Sequence, residues 1–136
     1  MNALFQAHSG LRFLVLLAGG FSLAVGIIGL VQKKPFSKLA RISGSIFVGT
    51  LHLQVLLGLS MVAMGTWYPR LIGHLVLMLV AAVLAQVLMI KNRKSAQPGY
   101  VLPVIAVFAA LVLIVGGIYA IGRSPLGMTT VPRADR

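Results

Sequence analysis

Three histidines are the residues best suited to chemistry in this chain: His8, His52 and His74. Each falls in or at the edge of a long apolar run, where an ionisable side chain is costly and marks function by default. A lone intramembrane imidazole can simply hydrogen-bond a neighbouring helix. Three of them, in a chain with few other buried polar groups, suggest more. Neutral imidazole is a good iron ligand, and two from facing helices can clamp a heme inside a bundle. Other chemistries lack their residues. The single carboxylate, Asp135, stands against twelve Lys and Arg. That excludes paired-carboxylate hydrolysis, Asp-driven triads, Mg²⁺ or Ca²⁺ sites and carboxylate proton relays. Without cysteine there is no disulfide framework, thiolate nucleophile, iron–sulfur cluster or zinc ribbon, and no clue to the redox compartment.

The elements that must position these histidines are read from hydropathy. Of 136 residues, 59% are hydrophobic and 10% charged, and the mean hydropathy is +1.00. A soluble domain carries about 25% charged residues. At this length it could not bury so much apolar surface, so the bilayer is the solvent to assume. Four apolar runs, roughly 4–31, 42–64, 71–90 and 101–121, are each long enough to cross a hydrocarbon core about 30 Å thick. The breaks between them hold Lys33-Lys34-Pro35, Trp67-Tyr68-Pro69-Arg70, and Lys91-Asn92-Arg93-Lys94 through Pro98-Gly99-Tyr100. Trp67, Tyr68 and Tyr100 sit where amphipathic aromatics favour the membrane–water boundary. Such short connections demand antiparallel neighbours. The fold expected is an all-α, integral-membrane, up-down four-helix bundle over residues 1–122, with a polar tail at 123–136.

The net charge of +11 is spread between apolar runs rather than gathered in one patch, which argues against nucleic acid. Lys33, Lys34, Lys38, Arg41, Lys91, Arg93 and Lys94 fall on one face; Arg12, Arg70, Arg123, Arg133 and Arg136 fall on the other. The positive-inside rule then puts the two basic loops in the cytoplasm and both termini on the outer side of a bacterial inner membrane. The start does not read as a cleavable signal peptide, because no basic residue precedes Arg12 and the apolar run is too long. Small residues at helical spacing read as packing stripes: Ala18, Ser22 and Gly26, then Ser45 and Gly49, then Ala81 and Ala85. Met61, Met64, Met78 and Met89 read as core filling.

Depth selects the histidine pair. Counted from the outer helix ends, His8 lies about 6 Å deep, His74 about 4.5 Å and His52 about 18 Å. Counted from the cytoplasmic ends the figures are about 35, 24 and 15 Å, and tilt of the long first helix shrinks the first. Axial ligands of one iron lie at similar depth, and the first and third helices of an up-down bundle are diagonal partners. His8 with His74 is therefore the expected pair. The same figures argue against a single three-histidine metal ion. Arg12 follows His8 by four residues on the same helix face, where a guanidinium could meet heme propionates or snorkel to lipid head groups. His52 remains a deeper polar contact: a hydrogen bond inside the bundle, a neighbour of the heme ring, or a quinone contact. Gln54 lies about 200° around the helix from His52, so those two form no cluster.

The stretch Leu53-Gln54-Val55-Leu56-Leu57-Gly58-Leu59, with Trp67, Pro69 and Gly73-His74-Leu75, resembles part of a heme A synthase half-bundle. In that family a helix with a Gln-x-x-Leu-Gly pattern leads through a short outer loop to a helix opening with a heme-ligand His, and the preceding helix begins with the other ligand. The segment His8-Ser9-Gly10-Leu11-Arg12 occupies that place and also resembles the opening of small bacterial cytochrome b-like membrane proteins. The resemblance covers the first three helices and implies that His8 and His74 are the axial ligands; it offers no role for His52. No acid precedes His8, where the synthases carry an outer-facing Glu, so heme binding rather than heme A synthesis is what carries over.

The expectation is a small b-type cytochrome holding one bis-histidine heme b near the outer face. It would relay electrons to a redox partner outside or to a quinol in the bilayer. Two other classes compete with it. One is a cofactor-free accessory subunit of a larger respiratory or photosynthetic complex. The other is a small-solute or lipid carrier, for which only His52 hints at a polar path.

Overall fold

A computed structural model describes residues 2–122. The polar tail expected at 123–136 lies outside the described residues, as do Arg123, Arg133, Asp135 and Arg136. Four helices follow one another: α1 (Asn2–Val31), α2 (Lys38–Ala63), α3 (Leu71–Arg93) and α4 (Val101–Ala120). They form an all-α, up-down bundle. α3 and α4 share the most extensive interface, α1 packs on α2 and α4, and α2 meets α3 least. α1 and α3 are thus diagonal across the core.

All four helices are long and apolar enough to cross a membrane. Their outward faces are as greasy as their inward ones. Leu17 is 70% exposed and Val31 77% exposed, and similar residues line every helix. A helix that is apolar all round belongs in lipid, and the chain is in this sense a small integral-membrane protein. The seam is built from Val15, Phe47, Leu51, Val107 and Ile114, with Ala81, Ala85 and Ala110 fully enclosed. Those alanines let backbones approach closely, which matters where lipid provides no hydrophobic drive for helices to associate.

The helix ends depart from the hydropathy boundaries in an instructive way. α2 begins at Lys38 because the Ser37 side chain accepts a hydrogen bond from Ala40 N at 3.1 Å, an N-cap that draws Lys38 and Arg41 into the helix. α3 continues to Arg93, because Lys91 and Arg93 suit the partial negative charge of a helix C-terminus.

Of the three expected interfacial aromatics, only Trp67 is exposed, at 54%. Tyr100 is buried: its hydroxyl donates to Pro35 O at 2.9 Å and accepts from Ser37 N at 3.0 Å. Its ring lies over Gly29 and edge-to-face on Phe36. Tyr100 therefore staples the two basic loops to one another. Tyr68 is buried at the opposite end.

Two packing expectations need correction. Met64 is 59% exposed, because it forms the C-cap of α2 rather than part of its inner face. Ser45 and Gly49 face an open cleft instead of a helix interface, and nothing lies within 4 Å of the place a Gly49 side chain would take.

Candidate functional site

The end of the bundle that carries the N-terminus holds a cavity of about 1050 Å³, counting the part open to the surroundings. Phe5, Val15, Leu51, Met78, Ile114 and Ile118 give it apolar walls, and His8, Arg12, Gln54 and His74 bring polar groups into it. Mostly apolar walls with a few placed polar groups are the general make-up of small-molecule pockets.

His8 is carried on the second turn of α1 and His74 on the first turn of α3, the diagonal helices. Their ring centres are 6.3 Å apart and their planes lie at 80°. Two metal–imidazole bonds of about 2 Å, plus about 1 Å from each nitrogen to its ring centre, require about 6 Å between ring centres. The separation fits a metal held between the two rings.

Hydrogen bonding prepares the same pair. His74 Nδ1 lies 3.0 Å from Gly117 O on α4. A carbonyl only accepts, so Nδ1 carries the proton and Nε2 keeps its lone pair, the arrangement that orients a ligating imidazole. On the other side, Gln54 Nε2 of α2 donates to His8 O at 2.6 Å and ties α2 to α1 beside the His8 ring. His8 Nδ1 and Gln54 Oε1 are buried without hydrogen-bond partners among the described residues. Orphaned polar atoms of this kind in a cavity signal a missing group.

Glycines make the room. A side chain at Gly58 would come within 3.1 Å of His8 Cε1, and one at Gly117 would collide with Met78 Cε and stand 3.6 Å from His74 Nδ1. Arg12 is only 8% exposed and lines the cavity, with its guanidinium carbon 4.5 Å from the centre of the Phe13 ring.

His52 is elsewhere. It is exposed on α2, and its Nε2 lies 3.0 Å from Gln86 Oε1 on α3, in a separate cleft toward the basic loops. It does not line the His8–His74 cavity.

Sequence reasoning missed Gln86, Gly117 and the use of Gln54. Only Gln54 had a signal, as the first residue of the Gln-x-x-Leu-Gly stretch; it approaches His8 from the face opposite His52. No group of three His, Cys, Asp or Glu side chains that could hold a metal ion occurs among the described residues. Two imidazoles alone under-coordinate a bare ion, whereas a porphyrin provides the remaining ligands itself.

The chain matches no protein-family model, no curated protein and no solved structure.

Proposed function

We propose that this protein is a small membrane b-type cytochrome whose His8 and His74 hold one heme b. The observation that carries the proposal is the 6.3 Å, nearly perpendicular approach of these two imidazoles inside an apolar cavity. The likeness to the heme A synthase half-bundle supports the same pair.

Heme supplies one-electron chemistry when bound, and two imidazole ligands leave no open iron position, which favours electron transfer over oxygen chemistry. The chain's own residues do the rest. Gly117 O fixes the tautomer of His74, Gln54 secures the backbone at His8, and Gly58 leaves space for the His8 ring. Arg12 brings a cation to the cavity wall, where propionates would be met. The cavity lies at the end away from the basic loops. With those loops in the cytoplasm of a bacterial inner membrane, it opens toward the outer face, within reach of a redox partner there or of a quinol in the bilayer.

The competing proposal is an accessory subunit without cofactor. It draws on the fact that His74 already makes a complete interhelical hydrogen bond to Gly117. A reduced-minus-oxidised visible spectrum of detergent-purified protein, made with ample heme, separates the two. Sharp low-spin b-type bands support the cytochrome. A flat spectrum favours the accessory subunit, which should then co-purify with larger partners.

A further inference from the structure

A second recess lies between α2 and α3, the neighbouring helices that pack least. It spans about 730 Å³, counting the part open to the surroundings, and runs from Arg41, Asn92 and Arg93 at the loop end to the His52–Gln86 pair farther along the two helices. The distance from Arg41 to His52 along α2 is about 16 Å. Between these ends the walls are small or apolar: Ala40, Ser45, Val48, Gly49 and Met89. Arg41 and Arg93 are exposed.

Asn92 is the decisive residue. It is 3% exposed and lines the recess. Its Oδ1 accepts from Gly99 N at 3.0 Å, which fixes the amide orientation, and its Nδ2 is buried with no hydrogen-bond partner. A buried amide donor left unsatisfied costs about 1–3 kcal/mol, so an acceptor is called for at that spot. Two arginines lining the same recess as an orphaned N–H donor select an anionic oxygen acceptor. The walls leading inward to His52 select an alkyl chain. His52 and Gln86 hydrogen-bond to each other and close the inner end.

We infer that this cleft binds one anionic phospholipid, with its phosphate on Arg41, Arg93 and Asn92 Nδ2 and an acyl chain along Ser45 and Gly49. The inference is independent of the heme proposal, since none of its residues lines the His8–His74 cavity.

Native mass spectrometry of the full chain tests it, with phosphatidylglycerol and phosphatidylcholine of identical acyl chains added in equal amounts. One phosphatidylglycerol per chain should be retained in preference to phosphatidylcholine. Arg41→Gln with Arg93→Gln should lower that retention by about twenty-five-fold, at roughly fivefold per cation. Asn92→Asp keeps the acceptor for Gly99 but replaces the free donor with a negative charge, so it should also lose the lipid while the helical circular dichroism stays unchanged. Lys33→Gln with Lys34→Gln removes the same charge outside the cleft and should retain the lipid. Equal retention of both lipids, or equal losses from the lysine and arginine variants, would overturn the assignment. So would displacement by inorganic phosphate at matched concentration, which would make the site one for free phosphate. A dimer in place of a lipid-bound chain would contradict it as well, by giving the cleft to a second copy.

Discussion

The two recesses of this bundle use the same side chain, histidine, in opposite ways. At the N-terminal end, His8 and His74 turn toward one another inside a pocket to which all four helices contribute. His74 is oriented there by a backbone carbonyl that cannot rotate away. At the basic end, His52 is exposed, and its partner is the flexible side-chain amide of Gln86. His74 and His52 each spend one ring nitrogen on an acceptor and keep the other lone pair. But His74 is held by a rigid backbone carbonyl opposite a second imidazole in a pocket, whereas His52 is held by a flexible amide on an exposed face. An intramembrane histidine is thus informative through the rigidity of its partner and the groups that share its pocket. Its position in an apolar segment says less.

The contrast breaks most sharply under alanine substitution. His8→Ala or His74→Ala should reduce heme content at least about tenfold, whereas His52→Ala should leave it near the native level, as measured by heme-to-protein ratio. Heme lost with His52 and kept without His8 would reverse the assignment of the two regions.

Steric crowding should come next. Gly58→Leu pushes a side chain into the His8 ring, and displacing the proposed axial ligand in this way should weaken heme retention about tenfold with helicity unchanged. The control is Gly49→Leu, which meets open space at the other recess and should leave heme content alone. Equal losses from both would mean that general packing, and not the ligand cradle, had been disturbed.

Charge gives a smaller effect. A buried cation beside the site favours the less positive, reduced iron, so Arg12→Gln should lower the midpoint potential in a redox titration, and Arg12→Lys should recover part of the shift. An unchanged potential would place Arg12 outside the electrostatic reach of the site.

The smallest effect belongs to the pair nearer the basic loops. A double-mutant cycle on His52 and Gln86 should give a coupling of about 0.6 kcal/mol in stability, the usual scale for a hydrogen bond between membrane helices. A coupling several times larger would show that this pair organises the bundle after all.

Much of this division was legible beforehand. Four spans followed from length and apolarity. The diagonal placement of α1 and α3 followed from short connections, and the similar depth of His8 and His74 from counting residues. The helix ends were misplaced because Lys38, Arg41, Lys91 and Arg93 read as loop by charge, although a serine cap and the α3 C-terminus accommodate them in helix. The His52–Gln86 contact joins positions 34 residues apart, and nothing in two uniformly apolar helices sets their mutual rotation and register. The partners of Tyr100 were hidden for a related reason. An aromatic at a span boundary is equally suited to lipid head groups and to loop carbonyls, and only the three-dimensional approach of Pro35 and Ser37 decides. Ser45 and Gly49 have packing spacing, but α2 and α3 pack least of the neighbouring pairs, so the small side chains line a cleft.

The most direct test of the central claim is a pyridine hemochrome stoichiometry on three proteins purified side by side: native, His74→Ala and His52→Ala. The predicted result is about one heme b per chain in the native protein and in His52→Ala, and a small fraction of that in His74→Ala. Equal heme in all three, or none in the native protein, would contradict the assignment of His8 and His74 as the pair that holds the iron.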